Sequence, residues 1–107
     1  MASDPQGLCE LYRDYLSDAW QTLAALRAAC EQGQSVEFGS KAHYLKSSSL
    51  VLGIQPVAQY CTQMEEIGRS ADLQQASRKL EETGELLYKV QSELETRLGP
   101  EVIPSAA

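Results

Sequence analysis

Apolar side chains recur at intervals of three and four through nearly the whole chain. Leu8, Leu11, Tyr12, Tyr15, Leu16, Ala19, Leu23, Leu26 and Cys30 form one stripe over about six turns, which predicts a first helix ending near Gln32 and Gly33. Asp4 followed by Pro5 is a cap and first-turn pair that sets its start, and Trp20 lies at the stripe's edge, where its indole covers the rim of a core. Ser35 is placed to cap a second helix with Phe38, Ala42, Leu45, Ser49 and Leu52 on one face, and Gly53 is placed to take the left-handed conformation just past its end. Pro56 opens a third helix carrying Val57, Tyr60, Cys61, Met64 and Ile67, which stops at Gly68 or soon after. Asp72 is the predicted cap of a fourth, striped by Leu73, Ala76, Leu80, Leu87, Val90, Leu94 and Leu98 and ended by Gly99 and Pro100. Neither the period-two alternation of a strand nor an internal repeat is present.

Each stripe is apolar on one side only, so no helix is stable alone and all must share one core. Amphipathic helices joined by connections of a few residues pack most economically as an antiparallel up-down-up-down four-helix bundle, an all-α fold. The expected organisation is a single domain over residues 1–107, with its core at about 5–98 and a loose tail at 99–107. Met1 and the short tail lead to the expectation of a free-standing protein, taken as a monomer.

Composition narrows the classes. A hydrophobic share of 43% and a charged share of 22%, with only 4 prolines and 7 glycines, belong to a chain that folds. A formal charge of -6 argues against nucleic acid or an anionic membrane as the main partner, because both demand a basic footprint. No apolar run approaches the ~20 residues of a membrane span and no signal peptide is apparent, so the expected location is cytoplasmic, and nuclear as well if the cell is eukaryotic. Cys9, Cys30 and Cys61 have no metal-ligand or redox spacing and are expected to be reduced and mostly buried. No phosphate-binding loop or clustered acidic site is present, so neither a cofactor nor a metal of its own is expected. Glu10, Asp14, Glu81, Glu82 and Glu85 are spread along helix surfaces as solvated faces.

The chemistry concentrates around the only histidine, His43. At ~100° per residue it falls opposite the apolar face of the second helix, with Val36, Gly39, Ser40, Lys46, Ser47 and Leu50 around it. An imidazole is a competent nucleophile near neutral pH, where about half or more of it is unprotonated. A phosphoryl group placed on it would carry negative charge one turn from the Lys46 ammonium. On spacing alone a single His-x-x-Lys reads first as a solvated face. Leu50 lies within ~20° of His43 and, with Val36 at the other end, brackets it with apolar contacts for a partner.

The stretch HYLKSSSLVLG, followed by Val57, Cys61, Glu65, Gly68 and Arg69, resembles the signature of histidine-containing phosphotransfer (HPt) domains, roughly H-x-L-K-G-S-S-x-x-x-G-[AL]. It is most similar to the fungal phosphorelay intermediates, and the strong match covers about a quarter of the chain. The resemblance implies that His43 is the phosphorylated nucleophile, that Lys46 stabilises the phosphoryl group, that Leu45 and Ser49 face inward and that Gly53 is the turn glycine. It places Arg69 at a basic position of the fungal members and makes Val36, Gly39, Ser40, Ser47, Leu50 and Arg69 the candidate partner-binding residues. The implied function is a phosphorelay intermediate that takes a phosphoryl group from a receiver-domain phosphoaspartate and passes it to a second receiver aspartate, without autonomous kinase activity. The implied partners are the receiver domains of a hybrid histidine kinase and of response regulators, with Mg²⁺ held on the receiver. Ser47 replaces the glycine of the pattern and narrows access to the ring; Glu65 stands where those relatives more often have glutamine, and its carboxylate is repulsive to a phosphohistidine unless it points away. A non-enzymatic helical-bundle adaptor, with His43 incidental, is the alternative.

Overall fold

The structure is a computed structural model that describes residues 5–105. Four helices account for most of it: α1 (Pro5–Glu31), α2 (Ser35–Val51), α3 (Gln55–Ser70) and α4 (Ala76–Leu98). α1 packs on α2 and α4, and α3 packs on the same two, so the helices close into a bundle whose tightest contact is α2 against α3. The expected four-helix bundle is therefore what forms. Among the described residues no strand occurs and no helix is long and apolar enough to cross a membrane.

The core is built from the predicted stripes. Leu16, Ala19, Leu26, Phe38, Ala42, Leu45, Val57, Cys61, Met64, Ala76 and Leu87 are fully buried. Burial of this apolar surface, at roughly 25 cal/mol per Å², is the main term holding the helices together. The polar residues inside are paired: Tyr15 and Ser49 share a 2.7 Å hydrogen bond between α1 and α2, and Thr83 donates to the Lys79 carbonyl at 2.7 Å. Burial is the larger reason that the Tyr15 phenol is pushed up to about 12, partly offset by its bond to Ser49. Trp20, half-buried, donates from Nε1 to Gln91 Oε1 at 2.8 Å and so ties α1 to α4 at the rim. The cysteines are unpaired thiols, Cys9 and Cys61 buried and Cys30 half-buried.

Helix ends follow backbone geometry more than side-chain caps. Beyond α2, Gly53 has φ of 73°, and two bonds close the turn, Gly53 N–H to Leu50 O at 3.1 Å and Ile54 N–H to Ser49 O at 2.8 Å. This is the glycine-terminated motif expected there. Gly33 closes α1 the same way, with φ of 69°. Ser35 is not the cap of α2: it is the first helical residue, and Gln34 occupies the cap position without a side-chain bond. Asp72 does cap, but what it caps is a 3-10 turn at Leu73–Gln75 that leads into α4, its Oδ1 accepting from Gln74 N–H at 3.2 Å. Asp4, the predicted cap of α1, lies outside the described residues.

The end of the chain departs from the loose tail expected over 99–107. Pro100–Val102 forms a 3-10 turn, Val102 is fully buried, and Ile103 packs against the core. Arg13 donates to the Glu101 carbonyl at 3.4 Å and the Cys9 thiol to the Leu98 carbonyl at 3.4 Å, so this segment is fastened to α1. The domain thus extends at least to Ile103. Two apolar residues, Val102 and Ile103, between Glu101 and Pro104 have no periodicity to betray them.

Gly84, inside α4, has open space where a Cβ would point. Gly84→Ala should stabilise the protein by about 0.5–1 kcal/mol, because alanine loses less backbone entropy in a helix. Thermal unfolding should show a rise of a few degrees; a fall would mean that the α4 backbone is not the helix described.

Candidate functional site

His43 sits in the middle of α2, on the side turned away from Phe38, Ala42, Leu45 and Ser49. Its side chain is 65% exposed. Small neighbours leave the ring open: Ser40 and Ser47 are exposed, and the Ser47 hydroxyl folds back to donate to the His43 carbonyl at 3.1 Å. Ser47 therefore lies along the helix backbone, with its polar atom turned from the ring.

Glu65 of α3 completes the site. Its Oε2 accepts from His43 Nδ1 at 2.7 Å, and its Oε1 pairs with Lys46 Nζ at 2.6 Å. The carboxylate does not point away from the histidine; it binds the ring. Partial burial pushes the Glu65 carboxyl up, but the hydrogen bonds from Lys46 and His43, with their charges, outweigh it and hold the group below its ordinary value of 4.5. Glu65 is thus an ionised acceptor at neutral pH, so Nδ1 carries the hydrogen and, in the neutral ring, Nε2 keeps its lone pair. Because the folded-state value is depressed, the stability from this pairing is present above about pH 4.5 and is lost as pH falls through the lower folded value.

Two glycines allow the reach. A Cβ on Gly68 would lie 2.8 Å from the Gly39 Cα, 2.9 Å from its N and 3.0 Å from the Ser35 carbonyl, so α2 and α3 touch backbone to backbone one turn from Glu65. α3 ends soon after Gly68, as expected, at Ser70, and Ala71 closes it with φ of 61°. Gly39, a candidate partner contact in the sequence, is half-buried against Gly68. A shallow cleft at this crossing is lined by Val36, Gly39, Glu65 and Arg69. Beneath Glu65, one turn earlier on α3, Cys61 is fully buried, and burial with the Glu65 charge pushes its thiol up to about 12, which keeps it unreactive.

Apolar side chains are exposed along α2 on either side of His43. Val36 is 86% exposed and Leu50 53%, where the sequence put them; Val51 at 82% and Tyr44 at 52% join them. The Tyr44 hydroxyl donates to Asp18 Oδ2 on α1 at 2.7 Å, and that bond, with the charge of Asp18, raises the phenol above its ordinary 10.0. Tyr44 and Val51 escaped notice in the sequence; the same ~100° rotation sets them about 100° and about 80° round the helix from His43, and the Tyr44 bond to Asp18 shows that side facing α1. The Glu65 contact carried no such signal, because it depends on how two helices cross.

The family model described as "Hpt domain" matches residues 10–97. The chain belongs to the Hpt domain family. Hpt domains carry out histidine phosphotransfer in phosphorelay signalling, and receiver domains are the partners they work with. No curated protein and no solved structure matches this Hpt domain significantly.

Proposed function

We propose that His43 is the phosphoryl carrier of this Hpt domain, taking the group on Nε2 from a phosphoaspartate of one receiver and delivering it to an aspartate of a second. The observation that carries this reading is the exposed ring with Nδ1 held by Glu65 and Lys46 one turn away. A fixed ring presents its free lone pair in one direction, which is the positional part of catalysis for an in-line displacement. Lys46 supplies positive charge beside the arriving oxygens. The receiver contributes Mg²⁺ and the acidic pocket, so this chain needs to provide only nucleophile, charge and docking surface. It acts as a monomer and has no kinase activity of its own.

The test is incubation with a phosphorylated receiver. Acid-labile, alkali-stable phosphate should build up on the protein and move on when an unphosphorylated second receiver is added. If no label moves, the adaptor reading stands in its place.

Receiver docking centres on the apolar residues around the ring, with Ser40, Ser47 and Arg69 at the rim, because interface centres are apolar and their edges charged. Leu50→Gln should weaken receiver binding by about 1–3 kcal/mol. As Leu50 is half exposed, its own melting temperature should change little. Undiminished affinity in a titration would remove Leu50 from the docking surface.

A further inference from the structure

His43 divides the outer face of α2 into two sides. Gly39, which touches Gly68, and Lys46, which pairs with Glu65 at 2.6 Å, lie about 40° and about 60° round the helix from it, toward α3. Ser40 and Ser47 lie about 60° and about 40° round on the other side, and both are exposed. The 2.7 Å bond from Nδ1 to Glu65 Oε2 turns one edge of the ring to α3. Nε2 is on the opposite edge, so its lone pair, and any group it carries, faces away from α3 on the side of the two serines. Each serine is one turn from His43, a spacing that brings Cβ atoms to about 5–6 Å. The Ser40 hydroxyl has no partner among the described residues. That of Ser47 donates to the His43 carbonyl at 3.1 Å, an oxygen to which the helix already supplies the Ser47 N–H, so its loss leaves no acceptor unpaired.

We propose that the Ser40 and Ser47 hydroxyls donate to the phosphoryl oxygens once the group is on Nε2, holding it on the side away from Lys46. The inference rests on the reading of His43 as the phosphoryl site and adds two binding residues to it. A hydrogen bond from a hydroxyl to a phosphoryl oxygen has an ionised acceptor, which makes it stronger than the present bond from Ser47 to a neutral carbonyl. Rotation about one side-chain torsion takes the Ser47 oxygen off the backbone, and its exposed position leaves room for the turn. The Ser40 oxygen needs only to exchange water for phosphate. The glycine of the Hpt signature at position 47 has no hydroxyl, so Ser47 gives this chain a donor that the pattern lacks. Because Lys46 is paired with Glu65, its charge is partly balanced before the phosphoryl group arrives, and neutral donors on the other side add binding that Glu65 does not offset.

The experiment is the equilibrium constant for exchange of label between the full chain and one receiver domain with Mg²⁺, counted over the free species. Ser40→Ala and Ser47→Ala should each shift it about threefold toward phosphoreceiver, and the double variant about tenfold, the scale of one and of two exposed hydrogen bonds to an ionised acceptor. Alanine is a good helix former at an exposed position, so these variants should stay folded. Ser47→Thr keeps the hydroxyl and should stay within about twofold of wild type. A serine that only touched the docked receiver, or only set the position of the ring, would change affinity or the rates in both directions and leave the constant unmoved. A double variant within about twofold of wild type, or shifted toward phosphoprotein, would overturn the inference, as would a Ser47→Thr variant that falls as far as Ser47→Ala. Label on a His43→Gln control would overturn the site and the inference together; no label there with an unmoved constant in the double variant would overturn the inference alone.

Discussion

His43→Gln should abolish phosphoryl acceptance from every receiver while the protein stays folded. The loss should exceed about a thousandfold, the scale on which removal of a covalent nucleophile acts, since a carboxamide has no comparable lone pair to offer phosphorus. Stability should shift by no more than about 0.5 kcal/mol, because the side chain is 65% exposed and packs in no core. The glutamine can still donate to Glu65 and so preserve the α2–α3 tether. Radiolabelled phosphate on the variant, measured beside its circular dichroism and melting curve, would place the acceptor elsewhere. An unfolded variant would instead show that the ring supports the fold.

The second large effect concerns the backbone contact that brings Glu65 to His43. Gly68→Ala should destabilise the protein by about 1–3 kcal/mol, as overpacking in a close-packed interface does. The new Cβ would meet only backbone, the Gly39 Cα and N and the Ser35 carbonyl, none closer than 2.8 Å or farther than 3.0 Å, so no side chain can swing aside and the helices must part. At roughly 4–8 °C per kcal/mol for a domain of this size, the melting temperature should fall by about 5–20 °C. Separation also lengthens the Glu65–His43 contact and should free the ring. Gly39→Ala is the control, because its Cβ would stand 3.8 Å from the Gly68 Cα, an ordinary contact, and alanine favours the helix. Equal melting temperatures for the two variants would mean that α2 and α3 do not cross at these glycines.

What the sequence disclosed follows from what each feature depends on. Phe38, Ala42, Leu45 and Ser49 are buried and His43 is exposed because a helix repeats every 3.6 residues, a rule that needs no knowledge of neighbours. Gly53 was legible for a local reason as well, since a left-handed residue after a helix favours glycine. The end of α3 at or soon after Gly68 was legible by the same local logic, but the absence of a side chain at Gly68 serves a crossing with α2, and Ala71 takes the left-handed turn. Val102 and Glu65 share that limitation. One fills the end of a core and the other reaches across two helices, and neither leaves a period in the chain. The likeness of HYLKSSSLVLG to a known signature located the histidine. It could not show that the carboxylate at position 65 turns toward the ring, since charge repulsion with a phosphoryl group argues the other way until Lys46 is seen beside it.

A phosphoryl group on Nε2 of His43 has a spectroscopic signature of its own. Nitrogen-resolved NMR of the protein labelled with ¹⁵N in its one histidine, recorded during phosphorylation by a receiver, tests it most directly. Nδ1 should bear the hydrogen beforehand, with Glu65 as its acceptor, and phosphorus coupling should then develop at Nε2 alone. Coupling at Nδ1, or phosphate on the protein with no coupling to either ring nitrogen, would contradict it.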